Sequence, residues 1–215
     1  PVDRRGALPL GARARPRDVG RCRVLVHVHE VQVEEERLRR ILRVDLTRMH
    51  CHTEQLDEDV YRLYPGGKAL AGYFMLREFV PGTDALSPDS VLVVANGLLT
   101  GAPVSTASRF TVAARSPLTG AYGESEAGGY FGPELKAAGY EAIIVTGRAA
   151  APVYLAIRDA DVEIRDAGGL WGREPEEVQT AIRAELGDSY VRVLQIGPGG
   201  ENLVRLRQDA PSAGV

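Results

Sequence analysis

A glycine-rich segment in the middle of the chain contains residue types that can hold an anion. It reads SPLTGAYGESEAGGYFGPELKAAGYEAIIVTG over residues 116–147. Gly128 and Gly129 remove side chains just before Gly132 and Pro133, which can begin a helix. Unpaired N–H groups at such a helix start attract phosphate or pyrophosphate. An ordinary tight turn would use the same glycines, so their spacing alone does not assign a function.

A second cluster of polar residues lies upstream of this segment. Arg109 closes a loop, where it lies beside Ser105, Thr106 and Ser108 in the sequence. Guanidinium and hydroxyl groups are typical phosphate ligands, although an Arg paired with Asp or Glu at the end of a sheet is the more common arrangement. The tetrapeptide Leu-Thr-Gly-Ala occurs in this loop at 99–102 and again at 118–121. We therefore expect two similar glycine turns at one edge of a sheet, with Arg109 beside them.

The composition excludes several classes of protein. The chain has 215 residues, a net charge of −3, and no uncharged apolar run approaching the roughly 18 residues of a membrane-spanning helix. Cys22 and Cys51 are the only cysteines in the sequence, too few for a disulfide scaffold or for the ligands of an iron–sulfur cluster. We therefore expect a cytoplasmic protein without a membrane partner.

The beginning of the chain differs in charge from the rest. Residues 1–48 carry 12 Arg against 7 Asp or Glu, whereas the remainder is acidic overall. We predict a disordered basic arm over residues 1–37. Because this arm has no aromatic residue that could stack on a base, we do not expect a nucleic-acid partner.

The apolar pattern predicts a mixed fold rich in hairpins. The expected strands cover 38–46, 90–95, 110–114, 142–145, 153–157, 162–165 and 191–196, and the expected helices cover 56–64, 68–80 and a segment from Pro175 to near Gly187. Residues 48–52 are expected to form a hairpin turn, and residues 96–109 and 115–132 to form loops. Strands outnumber helices and come in hairpins, so the expected fold class is α+β.

No local motif assigns chemistry to the protein's own side chains. The sequence has no Walker A motif, no nucleophile elbow and no His-Glu-x-x-His. Residues 197–202 begin like a dinucleotide-binding fingerprint but have Asn202 at the position of its last glycine. Catalysis by protein side chains alone therefore has little support.

Several longer runs occur in a characteristic order. They are LRVDLT (42–47), GGKALAGY (66–73), LLTG (98–101), RFTV (109–112), SPLTG (116–120), GGYFGPELKAAGYEAIIVTGRA (128–149), PVYL (152–155), LWG (170–172) and IGPGGENLVR (196–205). These runs resemble the amino-terminal domain of tungsten- and molybdenum-containing aldehyde:ferredoxin oxidoreductases. The resemblance covers residues 38–205 and leaves 206–215 as a divergent tail. It implies an α+β domain with two similar β-sheet halves, short helices and a pterin-binding face between the halves.

The resemblance also implies a cofactor, a bis-pterin that holds tungsten or molybdenum and whose phosphates are joined through Mg²⁺. Matched by motif, Arg109 would contact a pterin, and the backbone of Glu126, Ala127, Gly128 and Gly129 would contact the cofactor. The Glu126 carbonyl would lie near Mg²⁺. The family commonly has Asn where this chain has Glu126, so the resemblance implies that a negative side chain lies close to the phosphates here. The family also commonly has Arg in place of Lys68, the lysine of GGKAL.

The reaction implied by the resemblance is oxidation of an aldehyde to a carboxylic acid, with electrons leaving through a 4Fe–4S cluster to ferredoxin. In the family the cluster ligands and the acid/base residues belong to further domains, so no residue of this chain is assigned a catalytic role. We expect a metallopterin-binding domain or fragment that works with remaining enzyme domains or another subunit in a homo- or hetero-oligomer. The alternative is a truncated, non-catalytic remnant without independent activity.

Overall fold

The computed structural model describes residues 22–27, 39–159 and 161–202, which form two β-sheets and five α-helices. The strands are β1 (Cys22–His27), β2 (Arg40–Asp45), β3 (His50–Gln55), β4 (Leu92–Asn96), β5 (Phe110–Arg115), β6 (Tyr122–Ala127), β7 (Tyr140–Thr146), β8 (Val153–Arg158), β9 (Asp161–Asp166) and β10 (Arg192–Leu194). The helices are α1 (Glu58–Leu63), α2 (Gly67–Glu78), α3 (Phe131–Ala137), α4 (Pro175–Leu186) and α5 (Pro198–Glu201). Within these ranges, none of the helices has the length and apolar character needed to cross a membrane.

The larger sheet has the strand order β3-β2-β7-β4-β5-β6. β2 and β7 are parallel, and the other neighbouring strands are antiparallel. The central strand β7 has the sequence YEAIIVT, and all of its residues except the last are buried. A strand covered on both faces needs such a nearly continuous apolar run, which is why the sequence predicts it well.

The smaller sheet has the order β10-β1-β8-β9. Its central pair, β1 and β8, is parallel and has an antiparallel strand on each side. The strands β3-β2-β7-β4 of the larger sheet repeat this arrangement. The two sheets therefore share a common unit but differ in size, with six and four described strands.

The strand β1 comes from the segment that was expected to be a disordered arm. Cys22–His27 pair with β8 over their whole length and lie inside the smaller sheet. The chain before residue 38 therefore contributes to the fold at these six positions. The rest of the predicted arm and the predicted tail at 206–215 lie outside the described residues.

The two sheets pack face to face around an apolar core. Leu155 and Ile157 of β8 lie between the sheets, whereas the alternate residue Tyr154 packs against Ile182 of α4 on the other face. Helix α3 adds Leu135 to the core between the sheets. This space is filled with apolar side chains.

Helices cover the outer faces of both sheets. Leu70 and Phe74 of α2 are buried against Val93 and Ile144 of the larger sheet, and α4 covers the smaller sheet. The order of layers is therefore helix, larger sheet, smaller sheet, helix. The fold is mixed α/β with few helices, as the hairpin-rich pattern predicts.

Two local predictions were wrong. The hairpin turn expected at 48–52 lies earlier, at 46–49, and His50–Gln55 is strand β3. Residues 122–127, which were expected to be loop, form the edge strand β6. The sequence of β6, YGESEA, has no apolar alternation, since five of its six residues are exposed and none needs to be buried.

Candidate functional site

The candidate site lies where β4 ends, β5 begins and β6 ends. β5 and β6 are antiparallel, with Phe110 opposite Ala127. This register makes Arg109, just before β5, a neighbour of Gly128, just after β6. A Cβ atom added to Gly128 would lie 3.4 Å from the Ser108 hydroxyl, so the two segments are in direct proximity. The structure thus brings together two of the predicted cofactor contacts that lie far apart in the sequence, Arg109 and Gly128.

Arg109 combines a fixed backbone with an exposed side chain. Its carbonyl accepts hydrogen bonds from the Gly97 N–H at 3.1 Å and from the Thr100 hydroxyl. The residue is exposed, and its guanidinium makes no hydrogen bond or ion pair with any described residue. An exposed guanidinium on a fixed backbone, without a partner among the described residues, can bind a phosphate or a carbonyl-bearing ligand.

The backbone after β6 is open to approach. Gly129 has φ of +85°, a conformation that favours glycine, and a Cβ atom there would have no atom within 4 Å. Tyr130, which begins α3, makes no side-chain capping hydrogen bond. Gly128 and Gly129 are both exposed, so the main chain at this turn faces solvent.

The N-terminus of α2 reaches the same end of the sheet, which the sequence reasoning missed. Gly66 forms an isolated bridge to Gly97, and a Cβ atom on Gly66 would lie only 2.5 Å from the Asn96 carbonyl oxygen. No side chain caps α2, and its first turn contains no acidic residue. The positive end of this helix dipole therefore adds to the site. The paired glycines of GGKAL were the available signal for such a close backbone approach.

A buried asparagine lies behind the start of α3. Asn96 is fully buried, and its side-chain amide donates to the Tyr140 carbonyl at 3.0 Å. Its Oδ1 accepts no hydrogen bond from the described residues. A Cβ atom on Gly132 would lie 3.1 Å from this oxygen and 3.0 Å from the Thr100 methyl group. Gly132 lies in the first turn of α3, as the sequence predicts, and the close packing around it leaves little room for a side chain.

Glu126 points toward α2 and shares a lysine with its neighbour in the strand. Lys68 Nζ lies 2.7 Å from Glu124 and 3.8 Å from Glu126. The hydrogen bond between Lys68 and Glu124 lowers the pKa of the Glu124 carboxyl and raises the pKa of Lys68. Burial, together with a hydrogen bond to Glu124, raises the pKa of Tyr122 to about 12. The carboxylate of Glu126 is thus partly neutralised by Lys68, the other position where the chain differs from the family pattern.

The expected pairing of the two Leu-Thr-Gly-Ala turns was wrong. The first turn lies between β4 and β5, and the second lies between β5 and β6. Because both adjoin the single strand β5, they lie at its opposite ends. Gly101 approaches Pro133 of α3, whereas Gly120 lies near the Arg115 side chain. Only the first turn therefore belongs to the candidate site.

A buried ion pair supports the loop that follows β4. Lys136 of α3 donates to the carbonyls of Leu98 at 2.9 Å and Gly97 at 3.4 Å, and its Nζ lies 3.3 Å from the Glu141 carboxylate. Burial raises the pKa of Glu141, against the opposing effect of Lys136. Burial and then Glu141 raise the pKa of Tyr61 to about 12. This lysine ties α3 to the loop that carries Arg109.

The sequence profile described as "Aldehyde ferredoxin oxidoreductase, N-terminal domain" matches residues 41–208. The chain belongs to this family. The match includes every residue placed in the candidate site. It also begins after β1, which is the one described strand outside the matched range.

Relatives of this aldehyde ferredoxin oxidoreductase family member are longer oxidoreductases. The chain is 45% identical over 166 residues to the tungsten-containing aldehyde ferredoxin oxidoreductase of Pyrococcus furiosus. The aligned region is 77% of this chain and 27% of that protein. It is 33% identical over 181 residues to the aliphatic sulfonate oxidoreductase, WOR-like subunit, of the same organism. That alignment covers 77% of this chain and 29% of the relative. The chain therefore spans about a quarter of the length of the curated relatives it matches.

A solved structure supports the fold of this family member. A chain of the active site complex BamBC of benzoyl coenzyme A reductase, in complex with 1,5-dienoyl-CoA, superposes with a TM-score of 0.69. The identity is 36%, and the superposition covers 71% of this chain and 23% of that chain. That protein, too, is much longer than the present chain.

Proposed function

We propose that this chain is the metallopterin-binding component of a family oxidoreductase that converts an aldehyde to a carboxylic acid. The observation that carries the proposal is the convergence of Arg109 and Gly128 at one end of the larger sheet, within the region that matches the family. These two residues lie in the RFTV and GGYFG runs on which the family resemblance rests. The tungsten named in several relatives is the metal we expect the cofactor to hold.

The residues at the sheet end fit an anionic pterin cofactor. Arg109 supplies a guanidinium without a described protein partner, and Gly128 and Gly129 leave the backbone accessible. The backbone carbonyl oxygen of Glu126 suits Mg²⁺, which prefers oxygen ligands. No group of three or more His, Cys, Asp or Glu in the described part of the chain could hold a metal ion. A metal held by the cofactor rather than by protein side chains is compatible with these donors.

Each residue of the site has a distinct role in this proposal. The Arg109 side chain would hold a pterin or its phosphate by charge-assisted hydrogen bonds. The backbone at Ala127, Gly128 and Gly129 would follow the cofactor, and the Glu126 carbonyl would face Mg²⁺. The uncapped N-terminus of α2 would favour the negative charge of the phosphates. When bound, the metallopterin supplies the redox chemistry of the aldehyde oxidation.

Further components are required for the complete reaction. The two cysteines of the sequence cannot ligate a 4Fe–4S cluster. We propose that the cluster, the catalytic acid/base residues and the contact with ferredoxin belong to remaining enzyme domains or to another subunit. The cytoplasmic location and the oligomeric state remain predictions.

Metal and pterin content of the purified chain tests the proposal. The chain is produced with tungstate or molybdate present, alone and together with the remaining domains of a relative, and metal and oxidised pterin are quantified. We expect metal and pterin to be recovered in a constant ratio. The Arg109→Ala variant should retain about tenfold less of both at limiting cofactor, because charge-assisted hydrogen bonds are lost. Arg48→Ala is the control, since Arg48 is exposed in the turn before β3, at the other edge of the sheet.

The alternative function, a non-catalytic remnant, makes the opposite prediction. Glu126 favours this alternative, because its carboxylate stands where the family commonly has Asn and would repel phosphate if Lys68 did not neutralise it. A chain that stays free of metal and pterin both alone and with the remaining domains would contradict the proposed function. Equal retention by Arg109→Ala and the unmodified chain would show that the cofactor binds elsewhere.

A further inference from the structure

A groove runs between α2 and β6 on the outer face of the larger sheet. Its volume is about 520 Å³. Gly72, Leu76 and Phe79 of α2 form one wall, and Ala121 and Tyr122 at the start of β6 form the other. The groove follows β6 from the turn after β5 toward the candidate cofactor site.

The walls of the groove expose large apolar side chains. Leu76 is 81% exposed, and Phe79 and Tyr122 are each 46% exposed. Adjacent exposed apolar side chains of this size mark a surface that another polypeptide covers. β6 is also the edge strand of the sheet, so one side of its backbone has no strand partner among the described residues.

The charge around the groove indicates what kind of partner fits it. Glu124 and Glu126 lie at the end nearest the cofactor site and share the single ammonium group of Lys68. At the other end, the Arg115 guanidinium donates to two backbone carbonyls and is therefore already engaged. The end nearest the cofactor site thus has an excess of negative charge. A complementary partner would place a Lys or Arg beside its apolar residues.

A second copy of the chain is a poor occupant. Pairing two β6 strands at their free edges would bring Glu124 and Glu126 of one copy close to the same residues of the other. Like charges opposite each other destabilise a strand pair. By contrast, about three-quarters of each curated relative lies outside the region that this chain matches. Those further residues need a surface of the matched domain to pack against.

We propose that the groove between α2 and β6 is the docking surface for the remaining domains of a family oxidoreductase. Those domains would insert an apolar segment between Leu76 and Tyr122 and place a basic residue against Glu124 and Glu126. Because the groove adjoins the sheet end that carries Glu126, such a segment would also cover the cofactor site. This inference deepens the proposed function by locating its partner, but it rests on the family membership and not on cofactor binding.

Co-purification tests the docking surface. The full chain is tagged and co-expressed with the part of the Pyrococcus furiosus tungsten-containing relative that lies outside the aligned region, without tungstate or molybdate. We expect the two polypeptides to purify together. Leu76→Glu should reduce the recovered complex about tenfold or more, because it buries an unpaired carboxylate in an apolar contact. Leu63→Glu is the matched control, since Leu63 is 73% exposed on α1 and does not line the groove.

A charge reversal provides a second variant. Glu124→Lys should weaken the complex and reduce its dependence on salt concentration, because it removes the attraction for the partner's basic residue. Thermal unfolding of the isolated variants checks that each still folds, which we expect because Leu76 is largely exposed.

Three results would overturn the inference. The first is equal recovery of the complex with Leu76→Glu and with the unmodified chain. The second is no co-purification of the partner with the unmodified chain. The third is that the isolated chain forms a dimer and that Leu76→Glu dissociates this dimer. The last result would identify a second copy as the occupant. A chain that binds the partner but never acquires metallopterin would contradict the proposed function and leave the docking surface standing.

Discussion

Gly66 is the residue whose backbone most constrains the candidate site. Its φ of +82° and ψ of −178° lie in a region that is essentially restricted to glycine, and a Cβ atom would lie 2.5 Å from a backbone oxygen. We therefore expect Gly66→Ala to lower the free energy of unfolding by about 1–3 kcal/mol or more. Chemical denaturation measures this change.

Gly72 offers a matched control for that substitution. It lies within α2, the helix that Gly66 immediately precedes, and a Cβ atom there would meet no described atom within 4 Å. Gly72→Ala should raise the free energy of unfolding, by up to about 1 kcal/mol, because alanine is the better helix former. Equal effects of the two substitutions would contradict the close approach of Gly66 to β4.

Glu141 gives the stability a specific dependence on pH. Burial raises the pKa of its carboxyl in the folded chain, so folding favours the protonated form. The folded state therefore loses stability as the pH rises from the ordinary pKa of glutamate through this raised value. Glu141→Gln removes the ionisation and should gain stability relative to the unmodified chain as the pH rises through that window.

Denaturation of both proteins at several pH values from acidic to neutral measures this difference. Glu141→Gln also loses the ion pair with Lys136. This loss changes the free energy of unfolding of the variant by an amount that does not vary with the ionisation of residue 141. A difference between the two proteins that stays constant with pH would show that Glu141 is not perturbed by burial.

At the scale of elements, the sequence predicts those whose burial leaves a regular pattern. The strand β8 and the helix α4 are both predicted, because apolar residues recur at the matching period and Pro175 and Gly187 mark the helix ends. Gly187 adopts the left-handed conformation, with φ of 67°, that such a helix end requires.

Elements that depend on pairing rather than burial could not be predicted in this way. β6 is an exposed edge strand, so its identity depends on hydrogen bonds to β5 that no local pattern records. The two Leu-Thr-Gly-Ala turns were placed together because their sequences match, but the direction of β5 separates them. In the candidate site, Arg109 and Gly128 were predicted, whereas Gly66 and Asn96 were not, because their contacts depend on tertiary packing.

The packing of α4 on the smaller sheet gives a prediction for that element. Ile182 is fully buried against Tyr154 of β8. Ile182→Ala should lower the free energy of unfolding by about 2–5 kcal/mol, since it removes buried methyl groups and leaves a cavity. Thr180→Ala, on the exposed side of α4, should change it by no more than about 0.5 kcal/mol. A small effect of Ile182→Ala would show that α4 does not cover this sheet.

At the scale of the whole molecule, the residues that stabilise the fold differ from those proposed to bind ligands. The core between the two sheets is closed by apolar side chains, and the outer faces are covered by α2 and α4. One end of the larger sheet carries Arg109, Gly128 and the start of α2, and we propose that the cofactor binds there. The exposed groove beside β6 continues from that end, so cofactor and partner would meet on one side of the domain.

The position of the metal relative to this sheet end tests the account most directly. Tungsten scatters X-rays anomalously, so a crystal of the cofactor-loaded chain with its partner domains would locate it without reference to any assumed binding mode. We predict a single tungsten peak beside the start of β5 and the end of β6, separated from Arg109 by no more than one pterin. A peak near Gly120 at the opposite end of β5, or on the smaller sheet, would contradict the account.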